Sequence, residues 1–259
     1  MTLEFIKAPV RRLLTVPQRR RLKDLLPGWW YRRDLVRLAR YFGTDKEGAH
    51  YYARHYQQHF AARRHLPLRI LEIGVGGLED LRAGGESLRM WKAYFRRARI
   101  VGIDIYDKTC HDEPRITTVL GSQVDEALLR RVHAEHGPFD IIIDDGSHFV
   151  EHVLTTFRIM FPLLADDGIY VVEDTQTSYW PEARGIPFGG ATDLADPRTS
   201  MNFLKSLVDG LNYEEFLSRD YAPSYYDQHI IALHFYHNLV FVYKGVNHEG
   251  SAFLRVLRE

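Results

Sequence analysis

Apolar positions along the chain follow two periods that alternate with one another. Short runs rich in Ile, Leu and Val at 68–73, 100–103, 115–119, 141–143 and 168–172 predict strands, and the triplet Ile141-Ile142-Ile143 is apolar on both faces, as in a covered parallel sheet. Between them the period lengthens. Residues 88–97 place Leu88, Trp91 and Phe95 on one helical face, 125–136 form a helix stopped by Gly137-Pro138, and a third helix runs from about 151 to 164. Strand and helix in alternation predict a doubly wound α/β sheet that is mostly parallel, with helices on both faces. Beyond it, 200–212 reads as a helix with Phe203, Leu204, Leu207 and Leu211 on its apolar side, and 229–235 and 238–244 read as an antiparallel hairpin turning at Tyr236-His237. Ahead of the sheet, Pro17 and Pro27-Gly28 punctuate short helices, one at about 31–41, and 49–64 forms another. Gly43 suits the end of the first of these two helices, and Thr44 or Asp45 the N-cap of the second. The expected division is a helical N-terminal extension or lid at 1–65, a sheet domain at 66–245 and a tail at 246–259.

The polar residues at strand ends carry the chemistry. The 141–143 strand runs straight into Asp144-Asp145-Gly146-Ser147-His148, and the 168–172 strand into Glu173-Asp174. In a parallel sheet those ends share the edge where ligands bind. The first strand ends in Glu72-Ile73-Gly74-Val75-Gly76-Gly77, a turn whose glycines admit a ligand close to the backbone. Glu79 and Asp80 follow, and their charge opposes a diphosphate while tolerating a cationic or zwitterionic ligand such as S-adenosylmethionine. Asp104, 32 positions after Glu72, ends the second strand, where an ionised carboxylate accepts two hydrogen bonds from a ribose diol. Ser122 and Gln123 fall at the end of the third strand, where adenine recognition is expected. Residues 175–190 read as a long functional loop, with Tyr179 and Trp180 suited to walling a bound ligand.

Composition narrows the setting. Lys plus Arg and Asp plus Glu are both 34, so no global field points to a polyanion. Residues 1–40 nevertheless carry a surplus of eight positive charges, eleven Lys or Arg against Glu4, Asp24 and Asp34. Such an arm can meet nucleic acid or an anionic membrane. Leu, Val and Trp interleaved at helical spacing favour packing on the protein's own acidic remainder or on a second subunit. A single cysteine, Cys110, excludes an intramolecular disulfide, and no run of about 18 apolar residues or signal-peptide core is present. The expectation is a cytoplasmic protein that forms a homo-oligomer, a dimer by preference, with no nucleic-acid or membrane partner.

Leu-Glu-Ile-Gly-Val-Gly at 71–76, Gly-Ile-Asp at 102–104, the Asp-Asp-Gly-Ser-His motif at 144–148 and Val-Val-Glu-Asp at 171–174 together resemble the class I S-adenosylmethionine-dependent methyltransferases. More narrowly, Phe-Gly-Thr-Asp-Lys at 42–46, Ser-Leu-Arg-Met-Trp-Lys at 87–92 and Val-Glu-Asp-Thr-Gln-Thr-Ser-Tyr-Trp at 172–180 resemble the magnesium-dependent sugar O-methyltransferases of the mycinamicin type. The resemblance implies a Rossmann-like seven-stranded sheet. It also implies two cofactors, S-adenosylmethionine and Mg²⁺, and a small-molecule or oligosaccharide acceptor. An actinobacterial 1-O-methyltransferase acting on 3-O-methylmannosides in methylmannose polysaccharide assembly is a candidate of matching size. By correspondence Asp145, Glu173 and Asp174 are expected to hold the metal, and His148 to act as base. Glu72, Gly74, Gly76, Asp104, Ser122, Gln123 and Asp144 are expected to contact the cofactor, with Thr44 and Lys46 near its methionine end. The alternatives are a metal-dependent phenol or catechol O-methyltransferase and an RNA-directed protein that binds S-adenosylmethionine.

Overall fold

The computed structural model describes residues 31–218 and 220–254. The basic run 1–30 with Trp29 and Trp30, its expected helices, and residues 255–259 of the tail lie outside the described residues. The chain divides into two compact units, one made of the residues up to Pro67 together with Gly85–Ala98, the other of Leu68–Gly84 and everything from Arg99 onward.

The first unit contains helices α1 (Leu35–Phe42), α2 (Ala53–Phe60) and α3 (Glu86–Tyr94). Asp34 caps α1 by accepting from the Arg37 amide, and Gly43 ends the helix at φ +79°, a conformation that favours glycine. The expected capping of α2 by Thr44 or Asp45 does not occur. Residues 45–52 turn through an isolated Glu47–Tyr51 bridge, so α2 starts at Ala53 with no side-chain cap. Its aromatic residues explain why α3 clusters here rather than with the sheet. Tyr56 and Phe60 meet Trp91 edge-on at 5.0 and 5.9 Å, and Gln57 links the Leu35 amide to the Tyr94 hydroxyl.

The second unit is built on a seven-stranded sheet of β1 (Arg69–Ile73), β2 (Arg99–Asp104), β3 (Ile116–Leu120), β4 (Phe139–Asp144), β5 (Leu164–Glu173), β6 (Ile230–Tyr236) and β7 (Leu239–Lys244). Their order is β3-β2-β1-β4-β5-β7-β6, with β7 antiparallel to both its neighbours and the rest parallel. The order reverses between β1 and β4, which opens a crevice beyond the carboxyl ends of those two strands. One sheet face carries Leu71, Ile73, Val101, Ile103, Ile142, Tyr170, Val172, Val240 and Val242. These pack with Leu128 and Val132 of α4 (Glu126–His136), Phe157 and Phe161 of α5 (Val150–Leu163), and Leu204 and Leu207 of α6 (Ser200–Gly210). Burying each such aliphatic or aromatic side chain contributes roughly 1.5–3 kcal/mol.

A short helix α7 (Tyr225–His229) with a Ser224–Asp227 capping box leads into the hairpin, which turns at His237-Asn238, one residue later than the pattern predicts. Strand β5 begins four residues earlier than its apolar run, because Leu164 pairs with Phe139 before a register shift. Among the described residues no helix is long and apolar enough to cross a membrane.

Candidate active site

The crevice between β1 and β4 is closed at its base by backbone contact. Gly74 has φ +91°, and a Cβ built there would lie 2.0 Å from the Asp145 carbonyl oxygen, so only glycine lets the turn after β1 lie against the loop after β4. The Asp145 amide in turn donates to Ile73 O at 3.0 Å. Asp104 fastens the same turn from the other side. One of its oxygens accepts from the Val75 amide and the other from the Tyr106 amide, both at 2.9 Å, and each keeps a lone pair for a further donor. Glu72 is fully buried in β1, paired in register with Ile143.

Gln123, expected to contact the cofactor, is 5% exposed and engaged inside the protein. Its Oε1 accepts from the Ser147 amide at 2.8 Å, and its Nε2 donates to Asp144 Oδ1 at 3.1 Å and Thr156 Oγ1 at 3.0 Å. A Cβ on Gly146 would meet that Oε1 at 2.2 Å, so the glutamine side chain and the glycine fit each other. Asp144 is 1% exposed, and its second oxygen accepts from the Tyr170 hydroxyl at 3.3 Å. Burial pushes its carboxyl up to about 7 against the opposing hydrogen bonds from Gln123 and Tyr170, with the Asp145 charge adding to the rise. Burial, then Asp144, pushes the Tyr170 phenol well above its ordinary range. Sequence places Asp144 beside the cofactor; its carboxylate oxygens instead belong to a buried network beneath the 145–148 loop. Ser147 Oγ lies 2.7 Å from His152 Nδ1 and extends that network into α5.

Above it stand Asp145, His148 and Asp174. His148 Nε2 is 3.5 Å from Asp174 Oδ2 and 4.0 Å from Asp145 Oδ1, and the three side chains are only 15–23% exposed. Among the described residues these three form a group able to hold a metal ion, their ligand atoms all within 4.8 Å of one another. Glu173 is outside that group. It is the last residue of β5, 2% exposed and paired with Leu239, and the chain changes direction immediately after it. Both His148 (φ +59°) and Asp174 (φ +51°) are in the left-handed region, at a cost of about 1–3 kcal/mol each. Strain at two members of one three-residue cluster marks a site whose geometry the surroundings enforce.

The donor set fits a hard divalent cation through the two carboxylates. Among the described residues, His148 Nδ1, Thr175 Oγ1 and Gln176 Oε1, in the segments that follow β4 and β5, are buried without a hydrogen-bond partner. Sequence reasoning passed over Thr175 and Gln176, although their position directly after the Glu-Asp pair was visible. It also missed Tyr170, whose hydroxyl within an apolar strand was a signal. Of the other expected contacts, Ser122 Oγ accepts from the Val124 amide at 3.4 Å. Tyr179 and Trp180 are 42% and 41% exposed, and Trp180 meets Phe188 edge-on at 6.0 Å. Thr44 and Lys46 lie in the first unit, where the Lys46 amide donates to Thr44 Oγ1 and Lys46 is fully buried.

The strand order, the glycine turn after β1 and the carboxylate that fastens it at the end of β2 define a class I S-adenosylmethionine-dependent methyltransferase fold. No family model matches the chain. It is 51% identical over 224 residues to an 8-demethyl-8-alpha-L-rhamnosyl tetracenomycin-C 2'-O-methyltransferase of Streptomyces olivaceus, a match covering 85% of this chain and 58% of that protein. It is 48% identical over 221 residues to the demethylmacrocin O-methyltransferase of Streptomyces fradiae, covering 84% of this chain and 55% of that one. Among solved structures, the MycE methyltransferase of mycinamycin biosynthesis in complex with Mg, S-adenosylhomocysteine and mycinamycin VI superimposes with a TM-score of 0.80 at 45% identity, covering 85% of this chain and 56% of that one. Over most of its length the chain is homologous to these sugar O-methyltransferases. The chain spans a little over half the length of the relatives it matches.

Proposed function

We propose that the protein transfers a methyl group from S-adenosylmethionine to a hydroxyl of a sugar or glycoside, with a divalent cation at Asp145 and Asp174. Glu173 joins that set by its correspondence to the family. The observation that carries the acceptor class is the trio of buried, partnerless polar atoms on residues next to the carboxylates in the chain, His148 Nδ1, Thr175 Oγ1 and Gln176 Oε1. Buried polar atoms call for partners, and a polyol supplies both donors and acceptors at close spacing. A flat phenol offers one or two hydroxyls and leaves the rest unmet.

In the reaction the sugar oxygen attacks the methyl carbon of the sulfonium, the C–S bond breaks, and S-adenosylhomocysteine leaves. Mg²⁺, when bound, supplies positive charge for the oxygen that becomes an alkoxide. The hydroxyl proton passes to the imidazole of His148, and the resulting imidazolium sits within 4.0 Å of Asp145 and Asp174. The Gln123–Ser147 hydrogen bond holds the loop that carries His148, and the Gly74–Asp145 contact sets the carboxylate beside the cofactor turn. His148 also lies in the metal-capable group, which favours a second reading in which it is a ligand. Mg²⁺ prefers oxygen to imidazole, so the base role takes precedence.

The test uses tritium-labelled S-adenosylmethionine, Mg²⁺, and a panel of 3-O-methylmannose, a rhamnosyl polyketide, a macrolide glycoside and catechol. Label should pass to a sugar hydroxyl and stop when EDTA removes the metal. Transfer to the 1-hydroxyl of 3-O-methylmannose would single out polysaccharide assembly, whereas preference for catechol, or full activity in EDTA, overturns the proposal. A homodimer is part of the same reading, measured by light scattering.

A further inference from the structure

The second unit contains a clamp on the cofactor turn that the mechanism does not use. Lys108 is 1% exposed, and an ammonium has three N–H donors. All three end on main-chain carbonyls of one loop, Leu78 O at 2.9 Å, Asp80 O at 2.8 Å and Ala83 O at 3.3 Å. Its neighbours reach the same loop, Cys110 Sγ to Leu81 O at 2.9 Å and His111 Nε2 to Ala83 O at 3.2 Å. Residues 78–82 of the clamped loop are exposed, and Leu78 is held at φ +46°. They join the two ends of a backbone stack. A Cβ on Gly77 would lie 2.4 Å from Ala83 C, and one on Gly84 would lie 2.4 Å from Gly76 O. Glycines 74, 76 and 77 all have positive φ, a conformation of high entropy cost that local hydrogen bonds alone do not fix. Burying a lysine ammonium without a carboxylate partner is costly, and the carbonyl dipoles of this loop offset that cost only while the loop is in place.

We propose that Lys108 is a positioning residue for S-adenosylmethionine, freezing the 78–83 loop so that the Gly74–Gly77 turn is formed before the cofactor arrives. The proposal rests on the reading of that turn as the cofactor site. Preorganisation of this kind lowers the ordering cost of binding, so its loss shows in affinity. In Lys108→Met, calorimetry should show S-adenosylhomocysteine binding weakened about tenfold or more, with the KM for S-adenosylmethionine rising by more than kcat falls. Trypsin should then cut after Arg82, which the clamp protects in the wild type.

The wild-type protein supplies a second measurement that does not depend on the variant folding. Cys110 is the single cysteine of the chain and is exposed, so its reaction with a thiol reagent reports on the clamp directly. With the loop already held in the wild type, saturating S-adenosylhomocysteine should leave that rate nearly unchanged. A Cys110 rate that falls severalfold at proven saturation, or equal affinity of wild type and Lys108→Met, overturns the role of Lys108 alone. Wild-type protein that binds no S-adenosylhomocysteine overturns the cofactor reading and this proposal with it.

Discussion

Replacing Gly74 by alanine puts a methyl group where the backbone of the 145–148 loop already stands. The added Cβ would lie 2.0 Å from Asp145 O, 2.8 Å from Asp145 C and 3.2 Å from the Gly146 Cα, against the 3.4 Å at which ordinary contact begins. Both obstructing atoms nearest the methyl are main chain, so no side chain can swing aside. The turn and the Asp145 peptide must part by more than an ångström. The left-handed φ adds roughly 1–2 kcal/mol of strain for any residue with a Cβ. The Asp145–Ile73 hydrogen bond, 3.0 Å long, stretches with the separation and contributes about another 1 kcal/mol of loss. The carboxylate of Asp145 moves with its peptide, and a displacement of about 1 Å in a catalytic constellation costs on the order of 10²-fold in rate. Urea unfolding should therefore show a loss of about 2–3 kcal/mol. Labelled methyl transfer should fall on the order of 10²-fold in kcat/KM. A variant as stable and nearly as active as the wild type would refute the claim that the cofactor turn and the Asp145 loop are mutually locked.

Three further outcomes follow from particular contacts. Gln123→Leu strips the Ser147 amide of its partner and Asp144 of one of its donors, which costs about 2–4 kcal/mol and slows transfer, while S-adenosylhomocysteine affinity by calorimetry should stay close to wild type; a large loss of affinity would show that Gln123 is a cofactor contact. Lys244, 4% exposed, donates to Pro162 O at 3.0 Å and Leu164 O at 2.7 Å at the end of α5, so Lys244→Met should cost about 2–4 kcal/mol in urea unfolding, and a cost near zero would show that water replaces the ammonium. His133 has a buried Nδ1 without a partner, and burial, then Arg130 and Lys244, holds its imidazole below the ordinary 6.5. Its unfolded form therefore takes up a proton first as pH falls below 6.5, so stability drops from there until the lowered folded value is passed; His133→Leu should flatten that part of the urea-midpoint profile, and an unaltered slope would place the titration elsewhere.

Strand ends were the most legible part of the fold, because β-branched runs announce buried strands and acids at their ends stand out. The Asp145–His148 pair was also legible as a local spacing of three. The adjacent acids Glu173 and Asp174 show where local pattern stops being enough. Asp174, past the end of β5 and at positive φ, falls in the metal-capable group with Asp145 and His148, whereas Glu173, still paired in the sheet, is tied to it only by its correspondence to the family. The supports of the site were hidden because they are distant in sequence. Gln123 meets Ser147 across 24 positions, Tyr170 meets Asp144 across 26, and Lys108 reaches back 25 to 30 positions to the loop it clamps. Gln123 at the end of β3 therefore reads as a ligand contact until the fold shows its amide engaged on both sides. Likewise Ala165-Asp166-Asp167 looks like a loop, and only pairing of Leu164 with Phe139 makes it the start of β5.

The most direct measurement is His148→Ala, assayed on the most active acceptor with Mn²⁺ standing in for Mg²⁺ so that metal binding can be followed by magnetic resonance. As the base, His148 carries a factor of roughly 10²–10⁴ in methyl transfer, and its removal should leave S-adenosylhomocysteine and Mn²⁺ affinities close to wild type. Transfer that survives the substitution, or Mn²⁺ binding lost along with it, would contradict a base held beside a metal bound by carboxylates.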